Sequence, residues 1–323
     1  MRLSGFRFSK KTGNFTIKDD AIRYAELKQA EPLMMGMCEE RLLPEGLIRG
    51  GVIQDFDTLS LILDECVREW GIKGRKVRFT VPDSHVVIRK VSVPGDLIDD
   101  EIRGHLYVEI GSSIHLPFDE SVFDYIVTGR TDKELQLLLF ASGEELVRSY
   151  SDLFDSAGLK PDAADISPLC QYRFYLNQKP KVDHASSVML IQYDLSGVNL
   201  SIFQQEQPVF MRNIEVEKNI RESEQISVSM SPEDFRLQAN EIIKEIDHVL
   251  NFYRFSLNQG NDEVSSFILT GDHPLLHEAE RLLAERYDYP VDSLKNAQAE
   301  TLNKTPLPAL FYLTAGLALK EVR

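Results

Sequence analysis

The feature that most constrains this chain is an order of elements that occurs twice. Near the N-terminus, Asn14-Phe15-Thr16-Ile17 runs through Asp19-Asp20 into Ile22-Arg23-Tyr24-Ala25-Glu26-Leu27, and residues 33–43 supply a third strand-like run. Asp55 then opens a stretch in which Leu59, Ile62, Leu63, Cys66, Val67 and Trp70 recur at the three- and four-residue spacing of one helical face, closed by Gly71 and Gly74. From residue 188 the order returns, with strand-like runs at 188–193, 198–203 and 208–212 and turns at Asp194-Leu195-Ser196-Gly197 and 204–207. Ser231-Pro232-Glu233-Asp234 is a helix-start signature, and Phe235, Ala239, Ile242, Ile246, Val249 and Tyr253 carry one apolar stripe toward Gly260. A buried-type strand at 266–270, a helix over 274–287 and an apolar helix over 309–320 complete the chain. A three-strand meander has a face to cover, and the helix after it can cover it. Two such units predict an α/β protein of two duplicated lobes.

Between them lies a third unit. Val77-Arg78-Phe79-Thr80-Val81 and residues 86–93 read as strands across a Pro82-Asp83-Ser84 turn, followed by a helix from Asp96 or Asp99 toward Ile110. Strands at 123–128 and 134–141 flank the turn Gly129-Arg130-Thr131-Asp132, and a helix runs from Glu144 to Ala157. The expected division is a first lobe over 1–75, an inserted α/β subdomain over 76–160, and a second lobe over 161–323 whose last helix returns to the first. At 323 residues the chain exceeds what one core usually organises, about 250–300 residues, in keeping with this division.

Several function classes are disfavoured. The net charge of −15 opposes bulk attraction to nucleic acid or anionic lipid. No apolar run reaches the roughly 18–20 residues of a membrane span, and no apolar stretch follows the basic start as a signal peptide requires. Cys38, Cys66 and Cys170 are odd in number and widely spaced, the usage of a reducing compartment. His273 and His277 share an i, i+4 spacing but have no third ligand at fixed distance, so they read as cap or surface histidines. No G-x-S-x-G or Walker A motif occurs, and Gly50-Gly51 lacks the Lys-Ser/Thr of a phosphate loop. No residue is assigned a catalytic role and no metal site is expected. Arg23, Arg49, Lys73, Arg75, Lys76 and Arg78 form a basic concentration, read as a solvated face or a docking surface.

The order of pieces resembles the actin-like proteins and, within them, the PilM family of type IV pilus assembly proteins. Residues 43–55, from Leu43-Pro44-Glu45-Gly46 through Gly50-Gly51-Val52-Ile53-Gln54-Asp55, resemble the family's linker before its first long helix. Val81-Pro82 resembles the start of its inserted subdomain. His115-Leu116-Pro117-Phe118-Asp119-Glu120 with Phe123-Asp124-Tyr125-Ile126-Val127 resembles a further family stretch, and Asn251-Phe252-Tyr253 falls where the long helix commonly carries such a triplet.

The resemblance implies an actin-like fold with a phosphate-binding turn in each lobe. At those turns this chain departs: Thr16 and Lys18 stand where the first Asp and Gly belong, and Gln192 and Asp194 where the second pair belongs. In the third loop Thr270-Gly271 is kept, followed by Asp272 and His273. A hydrogen bond to a charged group contributes roughly 1.5–3 kcal/mol, so losing two or three removes about two to six powers of ten in affinity. Lys18, Asp194, Ser196, Gly197 and Gly271 are the residues of this degenerate nucleotide site. ATP with Mg²⁺ is expected to bind weakly at most, and hydrolysis is not expected. The resemblance further implies a cytoplasmic scaffold of a type IV pilus or pseudopilus machine. Its partner would be the short cytoplasmic tail of a single-span PilN-like protein, which recruits it to the inner face of the membrane without direct insertion; motor ATPase components are further implied partners. Val87, Ile88, Leu116, Pro117 and Phe118 are the candidate tail contacts. The competing readings are a divergent ATP-using actin-like enzyme and a cell-division protein of the FtsA type.

Overall fold

The computed structural model describes residues 12–179, 186–216, 232–294 and 297–321. The start signature at Ser231 therefore lies outside the described residues.

The first sheet is built around the meander β1 (Gly13–Ile17), β2 (Ala21–Gln29) and β3 (Met34–Leu42), whose strands pair antiparallel. The short hairpin β4 (Ile48–Arg49) and β5 (Val52–Ile53) leads into helix α1 (Phe56–Glu69). The Asp55 carboxylate caps that helix by accepting from the Thr58 amide at 3.0 Å. Leu59, Leu63, Cys66 and Val67 are its buried stripe, and Gly71, at φ +65°, ends it in a conformation that glycine adopts without strain. Strand β6 (Lys76–Val81) then joins β1 in parallel.

The chain next leaves this sheet. Strand β7 (Val86–Pro94), helix α2 (Asp99–Glu109), β8 (Ser121–Arg130) and β9 (Glu134–Gly143) make a separate three-stranded sheet, ordered β7-β9-β8, with α2 on one face. Alternation along β9 sends Leu135, Leu137, Leu139 and Ala141 toward Ile102 and Leu106 of α2, and this small core is its own cluster. Helix α3 (Glu144–Ser156) and β10 (Lys160–Ile166) return to the first lobe, where β10 pairs in parallel with β6. The separately cored unit therefore covers about 83–143, narrower than 76–160. Strands β6 and β7 are not a hairpin either: Pro82 marks the point where the chain passes from one sheet to another.

After helix α4 (Ser167–Gln178), the second lobe repeats the first. Its meander is β11 (Ser187–Asp194), β12 (Gly197–Gln204) and β13 (Gln207–Glu215). Helix α5 (Pro232–Asn251), a π-helical turn at Phe252–Leu257, β14 (Val264–Thr270), helix α6 (Leu276–Arg286) and β15 (Val291–Ser293) follow. The sheet order β13-β12-β11-β14-β15 matches β3-β2-β1-β6-β10 element for element, so the duplication is a repeat of topology. Strand β11 is buried on both faces: Met189, Ile191 and Tyr193 face α5 and α6, while Val188 and Leu190 face the interlobe core.

The lobes are joined by α4 and helix α7 (Tyr312–Ala318), which packs on the first lobe, and by β16 (Glu300–Thr301), which adds to β3 in parallel. At the α4–α7 crossing a Cβ on Gly316 would stand 1.9 Å from the Cys170 carbonyl oxygen, so only glycine permits this approach. Ala25, Met35, Tyr172, Phe174, Val188, Phe203 and Ala315 belong to one cluster drawn from both lobes and both helices.

Candidate functional site

The two β-hairpin turns and the Gly50-Gly51 turn converge on the interlobe cleft. In the first lobe, Ile17 pairs with Ile22 and the Lys18 amide donates to the Ala21 carbonyl at 2.9 Å, closing a four-residue turn. In the second lobe, Tyr193 pairs with Val198 and Asp194 with Gly197, giving a turn of the same length. The two turns therefore place Lys18 and Asp194 at matching positions.

These residues meet. Lys18 Nζ lies 2.8 Å from Asp194 Oδ2 and 3.1 Å from Asp272 Oδ2, on the loop after β14. Arg23 on β2 reaches the same Asp272 oxygen through Nη1 at 2.6 Å and Glu40 Oε1 through Nε at 2.7 Å. The backbone completes the arrangement, since the Leu195 amide donates to Asp272 Oδ1 and the Asp272 amide to Asp194 Oδ1, both at 3.1 Å. Two cations from the first lobe thus hold two carboxylates from the second.

Burial alone would lower the Lys18 pKa, but attraction by Asp194 and Asp272 outweighs it and leaves the ammonium above the ordinary lysine value. Burial likewise works to raise the Asp272 carboxyl, and Lys18 and Arg23 overcome it, holding the group well below the usual range. Asp194 goes the other way, raised by burial despite Lys18.

A second anion sits on the first-lobe side. The Asp19 carboxylate accepts from the Gly50 amide at 2.8 Å and the Gly51 amide at 3.0 Å, so a side chain of the protein occupies those two donors. Gly50 and Gly51 have φ of +56° and +81°, and a Cβ on Gly51 would stand 2.3 Å from Pro82 Cβ, which explains this glycine pair. Asp83, beside Pro82, accepts from the Ser167 hydroxyl; burial pushes its carboxyl up to about 6.

Around these groups is a cavity of about 90 Å³ whose lining includes Lys18, Asp19, Gly50, Gly51, Asp83, Asp194, Ser196, Gly197, Asn199 and Glu215. Four of the five expected nucleotide-site residues line it, all but Gly271. Gly271, at φ +130°, instead lets the loop after β14 approach the first hairpin of its lobe, since a Cβ there would stand 1.9 Å from the Tyr193 carbonyl oxygen. Thr16 is not directed to solvent but bonds Thr314 of α7 at 2.9 Å. The ion pairs of Asp272 with Lys18 and Arg23 have no signal in the sequence, because their partners are about 250 residues apart.

The basic concentration divides: Arg49, Lys73 and Lys76 are exposed as a solvated face requires, while Arg23 is buried and Arg75 and Arg78 are half-buried. Arg23 is buried on Asp272 and Glu40, Arg75 bonds Glu26 and Tyr24, Lys76 pairs with Asp162, and Arg78 donates to the Lys320 carbonyl. Glu26, Glu40 and Tyr24 serve these cations within the first lobe, whereas Asp272 and the Lys320 carbonyl tie Arg23 and Arg78 to the second-lobe loop after β14 and to the chain after α7. His273 is buried, with its pKa lowered by that burial, and its Nδ1 accepts from the Leu275 amide before α6. Among the described residues no group of three or more His, Cys, Asp or Glu can hold a metal ion, and no helix is long and apolar enough to cross a membrane.

The candidate tail contacts do not form one surface. Val87 pairs with Ala141 and Ile88 with Phe140, so the two side chains point to opposite faces of the small sheet. Leu116 packs on the core of the inserted unit, Pro117 is exposed, and the Phe118 ring approaches Gly143 at the start of α3, where a Cβ would be 3.4 Å away. Arg89 fixes this segment by donating to the His115 carbonyl. Residues 115–118 thus sit where the inserted unit meets the first lobe.

Comparison with known proteins agrees with this architecture. No curated protein matches the sequence. Among solved structures, the chain is similar to one from a PilM–PilN type IV pilus biogenesis complex, at 18% identity, with 95% of this chain and 97% of the other covered and a TM-score of 0.77. It is also similar to the ethanolamine utilization protein EutJ from Carboxydothermus hydrogenoformans (9% identity, 96% and 90% covered, TM-score 0.54). A third likeness is the cytoplasmic domain of EpsL, an inner membrane component of the type II secretion system of Vibrio cholerae (9% identity, 97% and 96% covered, TM-score 0.50). These likenesses establish the actin-like fold. The family model of the type IV pilus assembly protein PilM matches residues 15–227, about two thirds of the sequence, and the chain belongs to that family.

Proposed function

We propose that this protein is a nucleotide-independent scaffold of a type IV pilus or pseudopilus assembly machine. The observation that carries the reading is the self-paired cleft. A nucleoside triphosphate with its cation needs free backbone donors, an accessible lysine and carboxylates open to the metal. Here Asp19 occupies the Gly50 and Gly51 amides, Lys18 and Arg23 occupy Asp194 and Asp272, and Asp83, Asp194 and Glu215 line the remaining space. A phosphate entering would displace internal ion pairs and face carboxylates, so the residues do not fit that group.

The partner in this reading is the short cytoplasmic tail of a single-span, PilN-like protein, bound where residues 115–118 meet the first lobe. Support comes from the solved relative, which is part of a complex with PilN, and from Phe118, whose ring approaches Gly143 where the inserted unit passes into α3 of the first lobe. An extended tail adds to such a joint by filling apolar pockets and pairing backbone groups. Recruitment to the inner face of the cytoplasmic membrane follows from that contact.

The test is a titration of the full chain with a peptide copy of the partner's tail. Phe118→Ala is expected to weaken binding by about tenfold or more, while Asp194→Asn leaves it within about threefold of the parent. Normal binding by folded Phe118→Ala together with loss in Asp194→Asn would move the contact to the cleft and end this reading.

A further inference from the structure

We propose that the outward face of α2 is a docking surface for a basic peptide segment of a partner protein. Ile102 and Leu106 are the buried side of this helix. On the opposite side Asp100, Gly104, Tyr107 and Val108 follow at i, i+4, i+7 and i+8, a continuous stripe along the helix. Val108 is 73% exposed, the most exposed large apolar side chain among the described residues, and Tyr107, 61% exposed, flanks it with its ring edge-on to Phe123 at 4.7 Å. Single exposed apolar residues are ordinary on any protein, but these two adjoin a glycine that the chain itself does not require.

Gly104 is that glycine. It sits in the interior of a regular helix, where glycine is unfavourable, and a Cβ built on it meets nothing within 4 Å. Gly51 and Gly316 are explained by atoms that a side chain would strike; Gly104 is not. With no side chain at Gly104, the helix backbone between Asp100 and Val108 is open to close approach by another chain.

Charge selects the occupant. From Asp96 to Glu109 the segment carries Asp96, Asp99, Asp100, Glu101 and Glu109 against Arg103 alone, and Arg103 is paired with Asp124 at 3.0 Å. Arg130 compensates Asp99 at 2.6 Å, which still leaves acids at both ends of the helix. A second copy laid on it in either direction would set carboxylates against carboxylates. An anionic membrane is repelled for the same reason. A segment bearing Lys or Arg around small apolar residues is complementary at both ends, as is common beside the cytoplasmic end of a membrane span. The C-terminal end of this surface adjoins the turn before the 115–118 joint, where Ser112 donates to the Val108 carbonyl and Ser113 to the Glu109 carboxylate, and its test uses a probe and variants distinct from those of the tail contact argued above.

The experiment uses the full chain and a labelled amphipathic peptide of Lys and Leu, with its Glu-for-Lys counterpart as the second probe, read by fluorescence anisotropy. The Lys peptide is expected to bind, weakening as salt is raised, and the Glu peptide to show no binding. Val108→Asp and Gly104→Gln should each weaken the Lys peptide about tenfold, with unchanged circular dichroism. Val108→Asp adds a carboxylate, so bulk attraction alone would make that variant bind more tightly. Unchanged or tighter binding by both variants overturns the proposal, and so does binding of the Glu peptide. Sedimentation showing a dimer that Val108→Asp dissolves would assign the face to a second copy and overturn it as well.

Discussion

Lys18 and Asp194 occupy matching turn positions in the two duplicated lobes and meet across the cleft at 2.8 Å. Duplication brings equivalent positions face to face; opposite charges at those positions turn the meeting into a clamp. Asp272 and Arg23 extend it, so two cations of the first lobe hold two carboxylates of the second across the cleft.

The clamp predicts a specific stability pattern. Lys18→Met leaves Asp194 and Asp272 close together with only Arg23 to compensate, and should cost about 3–5 kcal/mol, the usual penalty for uncovering a buried charge. Asp194→Asn in the same chain should recover part of that loss, since it removes the uncovered charge. Urea unfolding of both single variants and the double variant measures the coupling, and additivity within about 0.5 kcal/mol would mean there is no clamp.

Asp83 predicts a pH dependence with a definite sign. Its carboxyl titrates at about 6 in the fold against 3.8 when unperturbed, so the folded state holds the proton more tightly. The associated stability is full below about pH 4 and is lost as pH rises through 6, leaving at most about 3 kcal/mol of penalty at neutral pH. Asp83→Asn should therefore raise the melting temperature at pH 7.5 and bring no gain at pH 4. A gain of equal size at both values would contradict this assignment.

The interlobe joint depends on Gly316. Gly316→Ala drives a methyl group into the Cys170 carbonyl, and α4 and α7 must separate to admit it. The expected loss is about 1–3 kcal/mol or more, with broader small-angle scattering as the lobes loosen. A fully stable Gly316→Ala variant would show that the crossing is not as tight as described.

Gly104→Ala has the opposite sign. The added methyl group meets open space, and helix propensity favours alanine, so thermal stability should rise by about 0.5–1 kcal/mol. Differential scanning calorimetry distinguishes this from a glycine needed by the fold, whose replacement lowers the melting temperature.

Much of the fold is legible in the sequence, and the physical reasons differ by element. Helix α1 announces itself because one face is buried and the other wet, which imposes the spacing of Leu59, Leu63, Cys66 and Val67. Helix α4 gives no such signal: Ser167, Cys170, Gln171, Tyr172, Phe174 and Tyr175 are all buried, so it lies in the interlobe core with little polar stripe to read. The stretch from Lys76 to Val93 reads as a hairpin because strand content does not reveal which sheet a strand joins, and Pro82 is equally compatible with a turn or a crossing. Lys18 and Asp194 are legible as departures at the phosphate turns. That they neutralise each other is not, because local spacing carries no information about pairs more than 170 residues apart.

The most direct measurement is calorimetry of the full chain with Mg·ATP. The self-paired cleft predicts no binding tighter than about 100 µM, and no shift in melting temperature at ligand concentrations below that value. A micromolar isotherm that requires Mg²⁺ would contradict the account, because it would mean that nucleotide displaces the pairs among Lys18, Arg23, Asp194 and Asp272.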